Sequence, residues 1–250
     1  MRLSCLDGGH RARARLFLRL TSGDAPDVVR MLLYRPEFFA RPLLALTVPA
    51  MRGPSYWTVG EREDMARRVA ERHRCAFCLD SHTEMTRLVA HDPASTRSLA
   101  DAPPDAVRDA ARVTLVWEIV NRLGNAFGFA LRGDQVHTGT RALHRFGYKF
   151  PAFLLAGGSD GGFDDPVDEL RHAVFEAPAV TAPEQRRGAA SGDLGEPWRS
   201  YTAMVRDASY RITDADIARL LAEHTEDEVF EMTVAAAVGA ALADYDADRG

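Results

Sequence analysis

Two cysteines and a histidine stand at spacings that suit thiol chemistry. They are Cys75, Cys78 and His82, in the stretch CAFCLDSH. If this stretch is helical, each residue turns by about 100°, and residues three and seven positions apart return to the same face. The three side chains would then form one stripe, with Cys78 nearer to the imidazole than Cys75. Because thiolates are the reactive form of cysteine and histidine moves protons near neutral pH, the stripe predicts a dithiol redox site.

The place of the cysteines at a helix start favours the same chemistry. A helix N-terminus carries a partial positive charge of roughly half a unit, which stabilises a thiolate. Cys78 lies closer to the histidine, whereas Cys75 stands at the more exposed helix start, so the spacing leaves open which sulfur attacks a substrate. Three basic residues directly before the pair are expected to strengthen the positive field: Arg72, His73 and Arg74.

Two other interpretations of the cysteines compete with redox chemistry. Zinc needs four ligands, of which this stripe supplies three. Candidates for the fourth are Glu63, His73 and His91. No second cysteine or histidine pair at zinc-finger spacing supports that interpretation. The other alternative is an inert pair of buried cysteines beside a core histidine. Glu63 considered alone, in the first turn of a predicted helix, is most often a surface acid that favours the helix dipole.

Composition places the chain among ordinary globular proteins. It has 250 residues, 46% hydrophobic and 27% charged, with a net charge of −5. These values predict one large or two small domains, with no reason to expect a nucleic-acid partner. Three cysteines do not make a secreted disulfide framework, so we expect a reducing, cytoplasmic location. The sequence contains no apolar run long enough for a membrane span.

The periodicity of apolar residues predicts a mostly or wholly α chain, since no alternating β-branched run competes with it. Pro36 and Pro42 are expected to break Asp27–Leu46 into two short helices. Three capping-box spacings begin further helices, at Thr58, Thr213 and Thr225. The remaining predicted helices are the cysteine helix to about Ala90, Val107–Phe127, Thr140–Leu155 in one or two pieces, Val167–Phe175 and Trp198–Arg206. The helices that begin after Thr213 and Thr225 cover Asp214–Leu221 and Glu226–Asp246.

Loops are predicted where Gly, Pro and Ser cluster. They cover Pro49–Trp57 and most of Ala177–Pro197, while Asp92–Ser95 predicts a further helix start that the prolines at 103 and 104 would end. The last helix is rich in Ala with one Gly, which favours close packing within or between subunits.

These elements divide the chain into four parts. We expect an Arg-rich irregular arm (1–23), a helical unit carrying the cysteines (24–156), a loop-rich connector (157–197), and C-terminal helices on the same core or on a partner subunit (198–250). A mitochondrial-type presequence would also be Arg-rich, so that interpretation of the arm stays open.

The site residues resemble a known family, the alkylhydroperoxidase D-like proteins of the carboxymuconolactone decarboxylase superfamily. The family pattern is a glutamate, Cys-x-x-Cys twelve residues later, and a histidine four beyond the second cysteine. Glu63, Cys75, Cys78 and His82 occupy these four places. MRGPSYWTVGERED…CAFCLDSH resembles the peroxidase-related branch, and Val113–Gly128, with its NRLGNAFG, resembles the helix that closes the family's unit. ITDADIARLLAEHTEDEVFEMTVAAAVGAAL resembles a helical pair from such proteins, so the similarity covers about two-thirds of the chain.

This resemblance implies a fold and an activity. The expected fold is an all-α alkylhydroperoxidase D-like bundle with the Cys-x-x-Cys at a helix N-terminus, assembled as a homo-oligomer, without metal or cofactor. Cys78 would reduce a small peroxide and Cys75 would close the disulfide. Glu63 and His82 would relay the proton, and a thiol or dithiol donor would supply electrons.

The superfamily also implies a non-redox alternative, in which Glu63 and His82 act as acid and base on a small metabolite. Such an enzyme would be a decarboxylase, an isomerase or a lactone hydrolase. A third class is a structural or partner-binding helical protein whose cysteines pack or hold zinc.

Two departures from the family pattern bear on these expectations. Phe77 stands where the peroxidases have a further relay histidine. The helix pair expected after the cysteine helix is reduced to the short stretch Ala100–Ala106. We therefore expect Ile212–Leu242 to fill the place beside Cys78, in the same subunit or from a partner.

Overall fold

The computed structural model describes residues 1–20, 25–89, 97–155 and 162–247. In these ranges the protein is 72% helical, with 13 α-helices and no strand. The prediction of an all-α protein is therefore confirmed. None of the helices in these four ranges combines the length and the apolarity that crossing a bilayer requires.

The helices follow one another with short connections. They are α1 (Cys5–Gly8), α2 (Ala12–Leu20), α3 (Asp27–Leu33), α4 (Ala40–Arg52), α5 (Val59–His73), α6 (Ala76–Leu88), α7 (Pro104–Phe127), α8 (Gln135–Phe146), α9 (Pro166–Phe175), α10 (Pro183–Ser191), α11 (Trp198–Ala208), α12 (Asp214–Leu221) and α13 (Glu226–Ala247). Short 3₁₀ turns lie at Leu99–Asp101, Ala152–Leu154 and Ser209–Arg211.

Local capping sets several helix starts as predicted. The Thr58 hydroxyl accepts from the Glu61 N–H, and the Glu61 carboxylate accepts from the Thr58 N–H, which begins α5. The same reciprocal bonds at Thr213 and Thr225 begin α12 and α13. The break inside Asp27–Leu46 is confirmed at Pro36, because α3 ends at Leu33 and α4 begins at Ala40, but Pro42 lies in the first turn of α4 and does not interrupt it.

Helix α7 is the centre of the fold. It contacts α4, α5 and α6 on the side of the cysteines, and α11 and α13 elsewhere. Most of its residues from Val113 onward are buried, because helices cover it all round. The close packing predicted for the last helix occurs within this subunit. A Cβ at Gly239 of α13 would come within 2.2 Å of the Ala190 Cβ of α10, so the two backbones can approach only because this position is glycine.

Several predicted boundaries are wrong. The supposed loop at 177–197 contains α10, which has Pro183 in its first turn and ends before Gly192 at φ 91°. The prolines at 103 and 104 do not end a helix: Pro104 is the first residue of α7, where its missing N–H costs nothing. The turn expected from Pro49 begins later, since α4 continues to Arg52.

Two further boundaries differ from the prediction. Helix α8 begins at Gln135, before the predicted Thr140, and a short 3₁₀ turn follows it. The N-terminal arm, predicted to be irregular, contains α1 and α2 and buries Leu3 and Leu6 completely. The helix start predicted at Asp92–Ser95 lies outside the described residues.

Candidate functional site

The two cysteines lie at the sharp junction between α5 and α6. Arg74 adopts a left-handed conformation at φ 53° and ends α5, and Cys75 is the N-cap of α6. The Cys75 sulfur accepts from the Cys78 N–H at 3.4 Å. The two sulfurs are 2.7 Å apart and are not joined by a disulfide. Both side chains are buried, so the two sulfurs are in contact inside the junction and away from solvent.

Gly124 of α7 faces both sulfurs. A Cβ at this position would lie 3.2 Å from the Cys75 Sγ and 3.5 Å from the Cys78 Sγ. In the sequence alone Gly124 is only a poor helix former near the end of α7. In the fold, the missing side chain provides the space that the sulfurs occupy.

Glu63 of α5 is fully buried and accepts three hydrogen bonds. His82 Nδ1 donates to Oε2 at 2.9 Å, and Arg52 donates to Oε1 at 2.7 Å. The Tyr148 hydroxyl donates to the same carboxylate, at 3.0 Å from Oε1 and 3.2 Å from Oε2. The expected proximity of Glu63 and His82 is therefore observed, and Arg52 and Tyr148 are additional partners that the sequence did not indicate.

These donors decide the charge of the carboxyl group. Burial raises the pKa of Glu63, but the hydrogen bond and charge of His82, together with Arg52, outweigh burial and hold that pKa below its usual range. An ionised Glu63 can only accept, so Nδ1 of His82 must carry the proton of their hydrogen bond. In the neutral form of this ring the lone pair lies on Nε2, which makes this nitrogen a base.

Cys78 and His82 line a common cavity of about 60 Å³. Its wall comes from α3, α4, α6, α7 and α8, with Trp117 and Tyr148 beside the histidine. The Trp117 ring meets the His82 ring edge to face, with centroids 4.0 Å apart. Cys75 does not line this cavity, and no Lys, Arg, Asp or Glu is found among the described residues that do. Cys78 is therefore the sulfur that a molecule in the cavity would meet.

The resting state of Cys78 is a thiol. Burial, and then the hydrogen bond and charge of Cys75, raise the pKa of Cys78 well above its ordinary value. The basic residues expected to lower it are directed elsewhere. Arg72 and His73 bind Glu118, at 2.7 Å and 2.5 Å, and the Arg74 guanidinium lies over the Tyr210 ring. Reaction at Cys78 therefore requires a base, and His82 is one helical turn away.

Glu118 of α7 anchors the α5–α6 junction from behind. Besides Arg72 and His73 it accepts from Arg122, and these partners outweigh burial and lower the pKa of Glu118 to about 2. Asn125 donates to the His73 carbonyl at 2.8 Å. This network fixes the backbone just before Cys75, and no pattern in the sequence indicates it.

The other predicted participants are placed as follows. Phe77 packs edge to face on Phe129, with centroids 5.4 Å apart, and its ring has no proton to transfer. Glu63 and His73, proposed as fourth zinc ligands, are each engaged by other side chains, and His91 lies outside the described residues. Among those residues no group of three or more His, Cys, Asp or Glu side chains is arranged to hold a metal ion.

Within this subunit, the place beside Cys78 is not filled by Ile212–Leu242. Helix α8 packs against α6 there, and none of the described cavity-lining residues belongs to α12 or α13. The same-subunit form of that prediction is wrong because α13 uses its surface against α7, α10 and α11. The form in which a partner subunit supplies the segment stays a prediction.

Comparisons of the chain with protein-family models, with curated proteins and with solved structures found no match. In its described residues the chain is an all-helical protein in which two buried, unbridged cysteines lie beside a Glu–His pair.

Proposed function

We propose that the protein is a thiol-dependent oxidoreductase with an alkylhydroperoxidase D-like bundle, which reduces hydroperoxides through Cys75 and Cys78. Glu63 and His82 relay the proton. One observation carries the proposal: Cys78 lines the same cavity as a histidine whose other ring nitrogen is bonded to a buried carboxylate. The Cys75 sulfur in contact with Cys78 supports its role as the resolving thiol.

The reaction balances with these groups. His82 Nε2 takes the proton of the Cys78 thiol, and the thiolate attacks the outer oxygen of the hydroperoxide. The O–O bond breaks, Cys78 becomes a sulfenic acid, and the alkoxide takes the proton from His82 to leave as an alcohol. The Cys75 sulfur then displaces hydroxide, which leaves as water with the Cys75 proton, and the disulfide forms. An external dithiol restores the pair by exchange.

The cavity indicates the kind of peroxide. Its described lining is mostly aliphatic and aromatic and contains no Lys or Arg, so an uncharged organic hydroperoxide fits it better than a carboxylated one. A cytoplasmic location, a homo-oligomeric assembly and a thiol or dithiol electron donor belong to the same proposal.

A second candidate function is a non-redox enzyme of the same superfamily. The Glu63–His82 pair is complete without the sulfurs, and the raised pKa of Cys78 leaves this thiol protonated at rest. His82 would then act as the base on a small metabolite such as a lactone, with Glu63 orienting its ring.

The test is a thiol titration of the reduced protein before and after one equivalent of cumene hydroperoxide, followed by mass spectrometry of its peptides. We expect loss of two thiols and a Cys75–Cys78 disulfide. Cys78→Ser should abolish peroxide consumption, whereas Cys75→Ser should still turn over once and leave a sulfenic acid that dimedone traps at Cys78. Cys5→Ser is the matched control, because Cys5 lies in α1, away from the cavity lining.

Two results would count against the redox proposal. Peroxide consumption that persists in Cys78→Ser contradicts the assigned attack, and an unmodified wild-type pair contradicts the activity. Turnover of a lactone that survives both cysteine substitutions but not His82→Ala would establish the second candidate instead.

A further inference from the structure

Tyr148 stands at a backbone position that a side chain rarely occupies. It follows Gly147 just beyond α8, and both residues have positive φ, 59° and 63°. The Tyr148 N–H donates to the Leu143 carbonyl at 3.3 Å and so closes the end of the helix. For a bulky residue this left-handed conformation is strained and persists only where other contacts fix it. The contacts of the side chain must therefore hold Tyr148 in place.

Those contacts lead directly to the acid of the relay. The ring is buried, packs edge to face on Trp117 at 5.8 Å and lies under the Arg52 guanidinium at 4.8 Å. The hydroxyl reaches both oxygens of Glu63. A phenol has one proton to donate, so this single donor is shared across the carboxylate and fixes the plane of the Glu63 group.

We propose that Tyr148 is a positioning residue of the site, whose hydroxyl orients the Glu63 carboxylate toward the His82 ring and ties the α8 wall of the cavity to the proton relay. The predicted effect of Tyr148 on the rate of disulfide formation rests on the proposed function, whereas its predicted effect on the orientation of Glu63 does not. Tyr148 acts through Glu63, so it is not itself the proton donor; burial and the charge of Glu63 raise its pKa well above the ordinary value and keep it neutral.

The consequence is a defined effect on pH dependence. A donor that bonds to a carboxylate favours its charged form, so removing the hydroxyl raises the pKa of Glu63. A proton taken up by the Glu63–His82 pair removes the base at Nε2, either by charging the ring or by protonating Glu63 and so releasing the Nδ1–H tautomer, and the acid limb therefore reports the pair. The other charged or titratable groups beside this pair are Arg52 of α4, which bonds to Glu63, Arg62 of α5, which lies in the field of Glu63, and Cys78 of α6, which shares the cavity wall with His82.

The test compares Tyr148→Phe with Tyr201→Phe. Tyr201 is equally buried, and its hydroxyl bonds to Thr233 in α13 instead of to Glu63. The rate of Cys75–Cys78 disulfide formation after mixing with cumene hydroperoxide is followed from pH 4 to pH 8. We expect the acid limb of the profile to move up by about one pH unit in Tyr148→Phe, because a hydrogen bond to a charged group is worth about that much. Tyr201→Phe should keep the wild-type limb.

Two additional measurements keep the inference testable. Replacing Tyr148 by 3-fluorotyrosine retains the ring and strengthens the donor, so the acid limb should move to lower pH. This variant replaces Tyr148→Phe in the test if Tyr148→Phe does not fold.

NMR titration of the His82 ring nitrogens needs no peroxide, and Tyr148→Phe should lose the Nδ1–H tautomer at a higher pH than wild type. If the wild type forms no disulfide, the proposed function is wrong while the NMR titration still tests Tyr148. An unchanged limb and an unchanged tautomer titration would overturn the inference.

Discussion

Two acidic groups of the site are buried, and their net pKa shifts have opposite directions. It raises the pKa of both Glu63 and Cys78, but only Glu63 has donors from His82, Arg52 and Tyr148 that outweigh it. The negative charge of the resting site therefore lies on the carboxylate and not on the sulfur. This separation of the two pKa values supports the proposed roles, in which Glu63 orients the ring, His82 takes the proton and Cys78 becomes a nucleophile only when a substrate is present.

Replacement of Gly124 tests the space at the sulfurs. In Gly124→Val the Cβ would lie 3.2 Å and 3.5 Å from the two Sγ atoms and 3.3 Å from the Phe129 ring, and the γ-methyls would crowd them further. We expect a loss of about 2 kcal/mol in the free energy of unfolding, measured with urea, because overpacking forces α6 and α7 apart. Disulfide formation should also slow.

The matched control for this substitution is Gly195→Val. A Cβ at Gly195 meets no atom within 4 Å, so this variant should unfold at the wild-type urea concentration. Wild-type stability and wild-type thiol reactivity in Gly124→Val would show that the contact between α7 and the sulfurs is not tight.

Among the elements, the α5–α6 junction depends on α7 for its position. Glu118→Gln should lower the free energy of unfolding by on the order of 2 kcal/mol at pH 7, after a discount for the exposed Arg72 partner. The pKa of Glu118 falls from its ordinary 4.5 to about 2 in the fold. Its stabilisation is therefore complete above its unfolded pKa and is lost as the pH falls toward 2.

The measurement is urea unfolding of both proteins at a series of pH values. The difference between wild type and Glu118→Gln should be full at pH 7 and should close between about pH 4.5 and pH 2. Glu223→Gln, at an exposed position, is the control. A difference that does not depend on pH would mean that Glu118 contributes packing and no charge.

The elements that the sequence predicted well are those fixed by local bonds. Thr58, Thr213 and Thr225 begin helices through partners three residues away, so a short window contains the whole signal. Helix α10 has only half of such a signal, because Gln185 accepts from the Ala182 N–H at 3.0 Å but Ala182 has no hydroxyl to complete the box. Its sequence PEQRRGAAS is polar, and its buried Arg186 is satisfied by the carbonyls of Val174, Ala177 and Thr181, which only the folded chain brings together.

The residues of the candidate site also form two groups, those whose proximity the sequence spacing predicts and those that only folding brings together. Glu63, Cys75, Cys78 and His82 lie on two consecutive helices, so their spacing in the sequence is enough to predict that they lie close together. Three other contributors to the site come from α4, α7 and the end of α8, and only tertiary packing brings them to it: Arg52, Gly124 and Tyr148.

For the molecule as a whole, the N-terminal segment links helices from distant parts of the chain. Arg2 donates to the Asn125 and Ala126 carbonyls at the end of α7 and to Asp214 in α12. The Glu226 carboxylate of α13 accepts from the N–H groups of Ser4 and Cys5. The segment therefore covers the end of the central helix whose Gly124 faces the sulfurs.

Truncation of one side chain in this segment measures its contribution to the whole fold. Leu6 is fully buried in the main core, so Leu6→Ala should cost about 2–5 kcal/mol of stability. In a protein of this size that loss lowers the thermal midpoint by roughly 2–4 °C per kcal/mol, which calorimetry resolves.

Leu16→Ala in α2 is the control, since its side chain is exposed and its removal should change stability by less than about 0.5 kcal/mol. Equal midpoints for the two variants would mean that the segment rests on the core without stabilising it. A selective loss in Leu6→Ala, with thiol reactivity changed as well, would tie the first residues of the chain to the geometry of the cysteine pair through α7.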